Sequence, residues 1–301
     1  MAESRASARS EEIRCRAEEA AAAFPPLLIA AERIAQTAAA GLHGRRRSGP
    51  GETFWQHRPY AFGDPVSAID WRQSARVSDR LYVRQNEWDS AAAVWIWRDP
   101  SRSLDYSSMK SIPTKRYRAD IIAVALASLL SRAGERIGVI SPEPRIFHGR
   151  NAAARFLEAI GVAAFDDDAS SPPAFPAGVY ARAVFISDFF TDFEKTSAAA
   201  ARAAALGAKG VFVRITDPAE ETFPFKGRTE FANPESRDRL IFGDAGALRE
   251  SYLREFAAHR ARLVDLCNRF DWTFIAHRTD QPAANALLAL YAALADQRRR
   301  S

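Results

Sequence analysis

Residues 92–103 read Ala-Ala-Val-Trp-Ile-Trp-Arg-Asp-Pro-Ser-Arg-Ser, and this stretch decides the fold. Ala92–Arg98 is an unbroken apolar run of strand length, the composition of a strand covered on both faces. Asp99-Pro100 stops it. Downstream the pattern alternates. Tyr117–Arg132 has a long apolar helix pattern closed by Gly134, Arg136–Ile140 and Arg145–His148 read as strands, and Ala152–Ile160 reads as a helix ended by Gly161. Ala183–Ile186 is a strand, followed by an Ala-rich helix to Leu206 with Gly207 as its stop, and then the strand Gly210–Ile215. Leu248–Phe270 is an amphipathic helix, Trp272–Ala276 a strand and Pro282–Arg298 a last helix. Strands alternating with helices of this length predict βαβ units, hence an α/β fold with a doubly wound, mostly parallel sheet.

Working outward, three segments emerge. Residues 1–40 form an N-terminal helical segment, Ala- and Glu-rich with helical spacing over 11–40 and Gly41 as a stop. Residues 41–90 are different: glycines, prolines and the aromatics Phe54, Trp55, Tyr60, Phe62, Trp71 and Tyr82 predict turns and short strands. Residues 91–301 are the α/β domain.

The 301 residues are 47% hydrophobic and 26% charged, the balance of an ordinary globular chain. A formal charge of +5 and a pI near 9.4 suggest an anionic partner. The excess is spread along the chain, with three of the positive charges in Arg298, Arg299 and Arg300, whereas a groove tracking a phosphate backbone concentrates its charge. Arg72, Arg76, Arg80 and Arg84 recur every four residues, a basic stripe on one helix and the basis of an alternative reading, nucleic-acid or other anion binding. Leu81-Tyr82-Val83 reads instead as a strand, and nearby Asp70, Asp79, Glu87 and Asp89 favour internal pairing. Cys15 and Cys267 are too few for a disulfide framework or a zinc site and read as inert thiols. Ala20–Ala31, the longest apolar stretch, is broken by Pro25 and Pro26 and too short to span a bilayer, so a cytoplasmic protein with no membrane span is expected.

In doubly wound sheets ligands gather beyond the carboxyl ends of the strands. The first strand runs into Asp99-Pro100-Ser101-Arg102-Ser103, a later one into Ser187-Asp188 and a third into Thr216-Asp217. A carboxylate and two hydroxyls at alternate positions can line one side of a tight turn with hard oxygen ligands for Mg²⁺ or Mn²⁺, completed by an Asp from a neighbouring strand end. The same residues also serve as turn caps, and the residues alone leave both readings open.

Asp-x-Ser-x-Ser after a first apolar strand, with Asp188 after a later one, resembles the metal-ion-dependent adhesion site of von Willebrand factor A domains. Upstream, Arg47-x-Gly49-x-Gly51-Glu52-x-Phe54, Arg58-x-Tyr60-x-x-Gly63-Asp64 and Ile69-Asp70-Trp71-Arg72-x-x-Ala75-Arg76 resemble the domain-of-unknown-function 58 family. So do Asp217-Pro218-Ala219-Glu220 and Phe223-Pro224-Phe225. The resemblance implies a von Willebrand A-like domain of six strands in the order 3-2-1-4-5-6 and a non-enzymatic, interaction-type role. It also implies partnership with a MoxR-type AAA+ ATPase in assembly or maturation of a client protein. It assigns a divalent cation, Mg²⁺ or Mn²⁺, to Asp99, Ser101, Ser103 and Asp188. Adhesion-type sites usually add a loop Thr; between Ser103 and Asp188 this chain has only Thr114, at the start of the first helix, with Ser170, Ser171 and Asp166–Asp168 as other oxygen donors.

Enzymatic readings fare worse. A serine nucleophile elbow needs Gly two residues before and after the Ser, and neither Ser101 nor Ser103 has them. A metal-dependent hydrolase needs more convergent carboxylates than Asp99 and Asp188.

Overall fold

The computed structural model describes residues 93–162, 171–177, 181–234 and 238–300, and upstream of these residues 48–49, 53–60, 69–76 and 81–87 together with 11, 14 and 15. The helical reading of 11–40 therefore lies almost wholly outside the described residues, as do Gly63, Asp64, Asp166–Asp168 and Ser170. The chain divides into two compact units, one of Arg33–Ala91 and one of Met1–Glu32 with Ala92–Ser301.

In the first unit, β1 (Ser48–Gly49), β2 (Thr53–Pro59) and β3 (Tyr82–Glu87) form an antiparallel sheet in the order β1-β3-β2. A bulge between Phe54 and Gln56 shifts the β2–β3 register. Ile69 bridges Val83, and both are buried. The short helix α1 (Trp71–Ser74) follows. Ser74 Oγ donates to the Asp70 carbonyl at 2.7 Å and accepts from the Tyr82 amide at 2.9 Å, tying the helix to the strand. Trp71 stays 61% exposed, so Ile69 anchors this motif while its tryptophan faces solvent. Arg72 lies in α1, Arg76 beyond its end and Arg84 in β3, so these arginines do not share a helix face.

The second unit carries the six-stranded sheet. Its strands are β4 (Val94–Arg98), β5 (Ile137–Val139), β6 (Arg145–Phe147), β7 (Arg182–Ser187), β8 (Lys209–Thr216) and β11 (Thr273–Arg278), ordered β11-β8-β7-β4-β5-β6. All pairs are parallel except β5–β6. Numbered along the chain, this is the order 3-2-1-4-5-6 that the resemblance implies. Helices α2 (Lys115–Arg132), α3 (Ala152–Val162), α4 (Phe193–Ala205), α6 (Arg249–Arg269) and α7 (Ala283–Arg300) pack on it. The period-2 pleat sorts each strand between two cores. Val94, Ile96, Val184, Ile186, Val211 and Val213 face Ile122, Phe156 and Leu290 of α2, α3 and α7. Trp95, Trp97, Phe185 and Phe212 face Ala200, Leu263 and Leu266 of α4 and α6. Cys267 is in this second core, and burial pushes its thiol up to about 12, which keeps it unreactive.

Several elements have no counterpart in the sequence reading: α1, the 3₁₀ turns over Arg102–Asp105 and Ala245–Leu248, the helix α5 (Pro218–Thr222) and the hairpin β9 (Thr229–Ala232)–β10 (Arg239–Phe242). Leu240 and Ile241 are exposed, so β10 shows no inside–outside alternation to detect.

His277 in β11 is 4% exposed, and burial, reinforced by Arg118 and opposed by Asp280, lowers it to about 4. A histidine whose pKa is depressed on folding stabilises the fold above its unfolded value near 6.5, and that stability is lost as pH falls towards 4. Urea melts at pH 7.5 and 4 should show His277→Asn losing about 3 kcal/mol less than the wild type across this window. Equal losses would show that His277 is not the group titrating.

Candidate functional site at the carboxyl edge of the sheet

The strands β4, β7 and β8 are neighbours, and at their carboxyl ends stand Asp99, Ser187-Asp188 and Thr216-Asp217. Asp99 is fully buried. Its Oδ1 accepts the Ser101 amide at 2.8 Å and its Oδ2 accepts the Ser187 hydroxyl at 2.5 Å. Ser101 Oγ and Ser103 Oγ lie 2.9 Å apart. Arg116, at the start of α2, clamps this turn by donating to the Pro100 and Ser101 carbonyls and pairing with Asp105. Burial first, and the Asp188 carboxylate second, push Asp99 up to about 6. The turn therefore carries negative charge that its own hydrogen bonds do not fully offset.

Asp188 is also fully buried. Its Oδ1 accepts the Phe190 amide at 3.1 Å, and its Oδ2 accepts Lys115 Nζ at 2.7 Å. Lys115, the first residue of α2, is 1% exposed and also donates to Glu220 Oε1 at 2.5 Å. Burial alone would depress its ammonium; Asp188 and Glu220 overcome that and hold it above its ordinary value. Glu220 belongs to a capping box at the start of α5, in which Asp217 Oδ1 accepts the Ala219 amide and Glu220 Oε2 accepts the Asp217 amide, each at 2.8 Å. Asp217 Oδ2 reaches across to the Ser108 amide at 2.9 Å. Thus the ends of all three strands meet at one edge, with Lys115 as the cation between two of them.

All four expected ligands, Asp99, Ser101, Ser103 and Asp188, are at this edge. Thr114 caps α2, its Oγ1 accepting the Tyr117 amide at 3.2 Å. Sequence reasoning missed Lys115, Glu220 and, further along β8, Arg214. Among the described residues no three His, Cys, Asp or Glu side chains converge as a metal-ligating group. Capacity for a cation therefore rests on the serine hydroxyls and Asp99. Their spacing fits a hard cation, since neighbouring corners of an octahedral oxygen shell with bonds of about 2.1 Å are roughly 3 Å apart. Aromatic side chains rim the edge: Tyr106 and Phe190, 37% and 43% exposed, place their rings 5.8 and 5.2 Å from Lys115 Nζ.

A mostly parallel α/β domain with a polar cluster at its carboxyl edge is thus the class of protein the fold and site define. Residues 56–262, more than half of the chain, match the family described as "Protein of unknown function DUF58", and the chain belongs to that family. It is 28% identical over 250 residues to uncharacterized proteins of Mycobacterium bovis and Mycobacterium tuberculosis, covering 77% of this chain and 76% of each relative. Two solved structures are similar at TM-scores of 0.40 and 0.39: an aerotolerance-related membrane protein from Bacteroides fragilis (14% identity) and the conserved hypothetical protein BatB from Bacteroides thetaiotaomicron (15% identity). Each match covers 68% of this chain and 99% of the other. Scores this low carry no argument about function. No helix among the described residues is long and apolar enough to cross a membrane.

Proposed function

We propose that this chain is a non-enzymatic protein-interaction module of the von Willebrand A type, recognising its partner at the carboxyl edge of the large sheet. The observation that carries the reading is the Ser101–Ser103 pair, whose 2.9 Å separation matches two corners of an octahedral oxygen shell. Strand order 3-2-1-4-5-6 supports the fold assignment. Asp99, buried and electrostatically strained by Asp188, supplies the negative charge that attracts a cation. A divalent cation, Mg²⁺ or Mn²⁺, held by Asp99, Ser101 and Ser103 would offer an open coordination position to a partner's carboxylate. Asp188 contributes charge from behind, because its oxygens already accept Lys115 and the Phe190 amide. Ser101 Oγ and Ser103 Oγ lie against each other beside Asp99, an arrangement that neighbouring ligands of one cation can adopt. The family resemblance supplies the wider setting, a MoxR-type AAA+ ATPase acting with this chain on a client protein.

Calorimetry with MgCl₂ and MnCl₂ tests the cation: saturable binding in the wild type, lost in Asp99→Ala, is expected. Absence of binding in the wild type removes the cation and leaves the interaction reading to be judged by co-purification with a MoxR-type ATPase.

A further inference from the structure

Arg214 is a buried charge in the interior strand β8, and its residue is 1% exposed. Among the described residues no acceptor lies within hydrogen-bond distance of Nε, Nη1 or Nη2. Asp188 and Glu220 act on it only through space. Its contacts are instead with π-faces: the guanidinium lies 4.3 Å from the Phe256 ring of α6 and 5.2 Å from the Phe190 ring. A buried guanidinium with five unused donors is costly unless something pairs with it. We infer that Arg214 is the receptor for an acidic side chain of a partner protein, taken up beneath Phe190.

Two features select a carboxylate. Lys115 lies between Asp188 and Glu220, and Asp188, Glu220 and Glu221 all act on Arg214, so the site already holds negative charge and takes one more from a carboxylate at less cost than two from a phosphate dianion. The fork of the guanidinium also pairs bidentately with a planar carboxylate, and its contacts with the Phe190 and Phe256 rings leave all of its donors unused. The way in is built into the loop after β7. Phe189 takes a left-handed φ of 56° and is 2% exposed, stacked on Phe212 at 4.7 Å. Its carbonyl meets His259 Nε2 at 2.8 Å. The backbone is thus anchored while the next side chain, Phe190, turns out to solvent and covers both Arg214 and Lys115 at 5.2 Å. Rotation of that ring is the movement that uptake of the carboxylate requires. This site is separate from the cation position of the Asp99–Ser103 turn.

The test uses the full chain in EDTA, so that no cation at Asp99–Ser103 contributes. The probes are a capped peptide containing Glu-Phe, the same peptide with Gln-Phe, a peptide ending in a free Phe carboxylate, and inorganic phosphate. Calorimetry should show saturable binding of the Glu peptide, at least tenfold weaker binding of the Gln peptide and of phosphate, and at least a tenfold loss in Arg214→Lys, which keeps the charge but not the fork. Phe190→Ala should speed association severalfold. Tighter binding of the free C-terminal peptide than of the Glu peptide would overturn the side-chain source, and tighter binding of phosphate would overturn the carboxylate. No saturable binding by the wild type, or unchanged binding by a folded Arg214→Lys, would overturn the site. Should Arg214→Lys not fold, the ¹⁵N signal of Arg214 Nε in the wild type decides: no shift on saturation with the Glu peptide overturns it.

Discussion

Lys115→Met is expected to cost about 3–5 kcal/mol of folding stability, the range seen when one partner of a buried ion pair is removed. Nζ is the common donor to Asp188 and Glu220, and Asp188 has no solvent contact with which to replace it. Removing the ammonium also leaves Asp188 next to Asp99, a carboxylate that burial, with Asp188 second, already pushes up to about 6. The loss should depend on pH in one direction. Carboxylates whose pKa values rise in the folded state favour folding while protonated, so the deficit against wild type should shrink as pH falls from 8 to 5. Adding Asp188→Asn to Lys115→Met should recover part of the stability, because a neutral amide is cheaper to bury than an unpaired carboxylate. Urea melts of the wild type and the two variants at both pH values give the answer. A loss below about 1 kcal/mol at pH 8 would mean that Lys115 does not neutralise the buried carboxylates.

The strands were legible because a parallel sheet covered on both faces writes continuous apolar runs, and Val94–Arg98 and Arg182–Ser187 are such runs. Asp99 and Asp188 were legible for a related reason: each ends a strand whose carboxyl end must lie at a ligand edge. Lys115 was not, since its partners lie 73 and 105 residues away and nothing local names them. One signal did exist. Lys115 and Arg116 open α2 with positive charge in the first turn, against the helix dipole, and both are buried. A helix that begins this way needs acids from elsewhere in the fold, and Asp188, Glu220 and Asp105 are those acids. Arg214 left a similar trace, a single charge inside Val-Phe-Val-Arg-Ile-Thr. Its meaning depends on Phe190 and Phe256, which only the folded chain brings to it.

Two glycines inside strands carry the other large expectation, since glycine there marks a close approach by another group. A Cβ on Gly210 would lie 2.1 Å from Cε3 of Trp272, and one on Gly138 would lie 2.3 Å from Cε3 of Trp95. Gly138 pairs directly with Trp95 across β5 and β4, so the indole lies over the neighbouring backbone. Neither side can yield at Gly210. The Trp272 indole donates to the Ala208 carbonyl at 3.1 Å and stacks on Phe185 at 5.7 Å, while the Gly210 carbonyl accepts Gln297 Nε2 at 2.9 Å. Gly210→Ala should therefore cost about 3 kcal/mol or more, the upper end for overpacking a core. Trp272→Leu alone also destabilises, by opening a cavity. In the double variant the new methyl enters that space, so the two losses should fall short of their sum by about 1 kcal/mol or more in a double-mutant cycle. Additive losses would mean that Trp272 is not the wall that excludes a side chain at position 210, and the glycine would then be needed for its backbone alone.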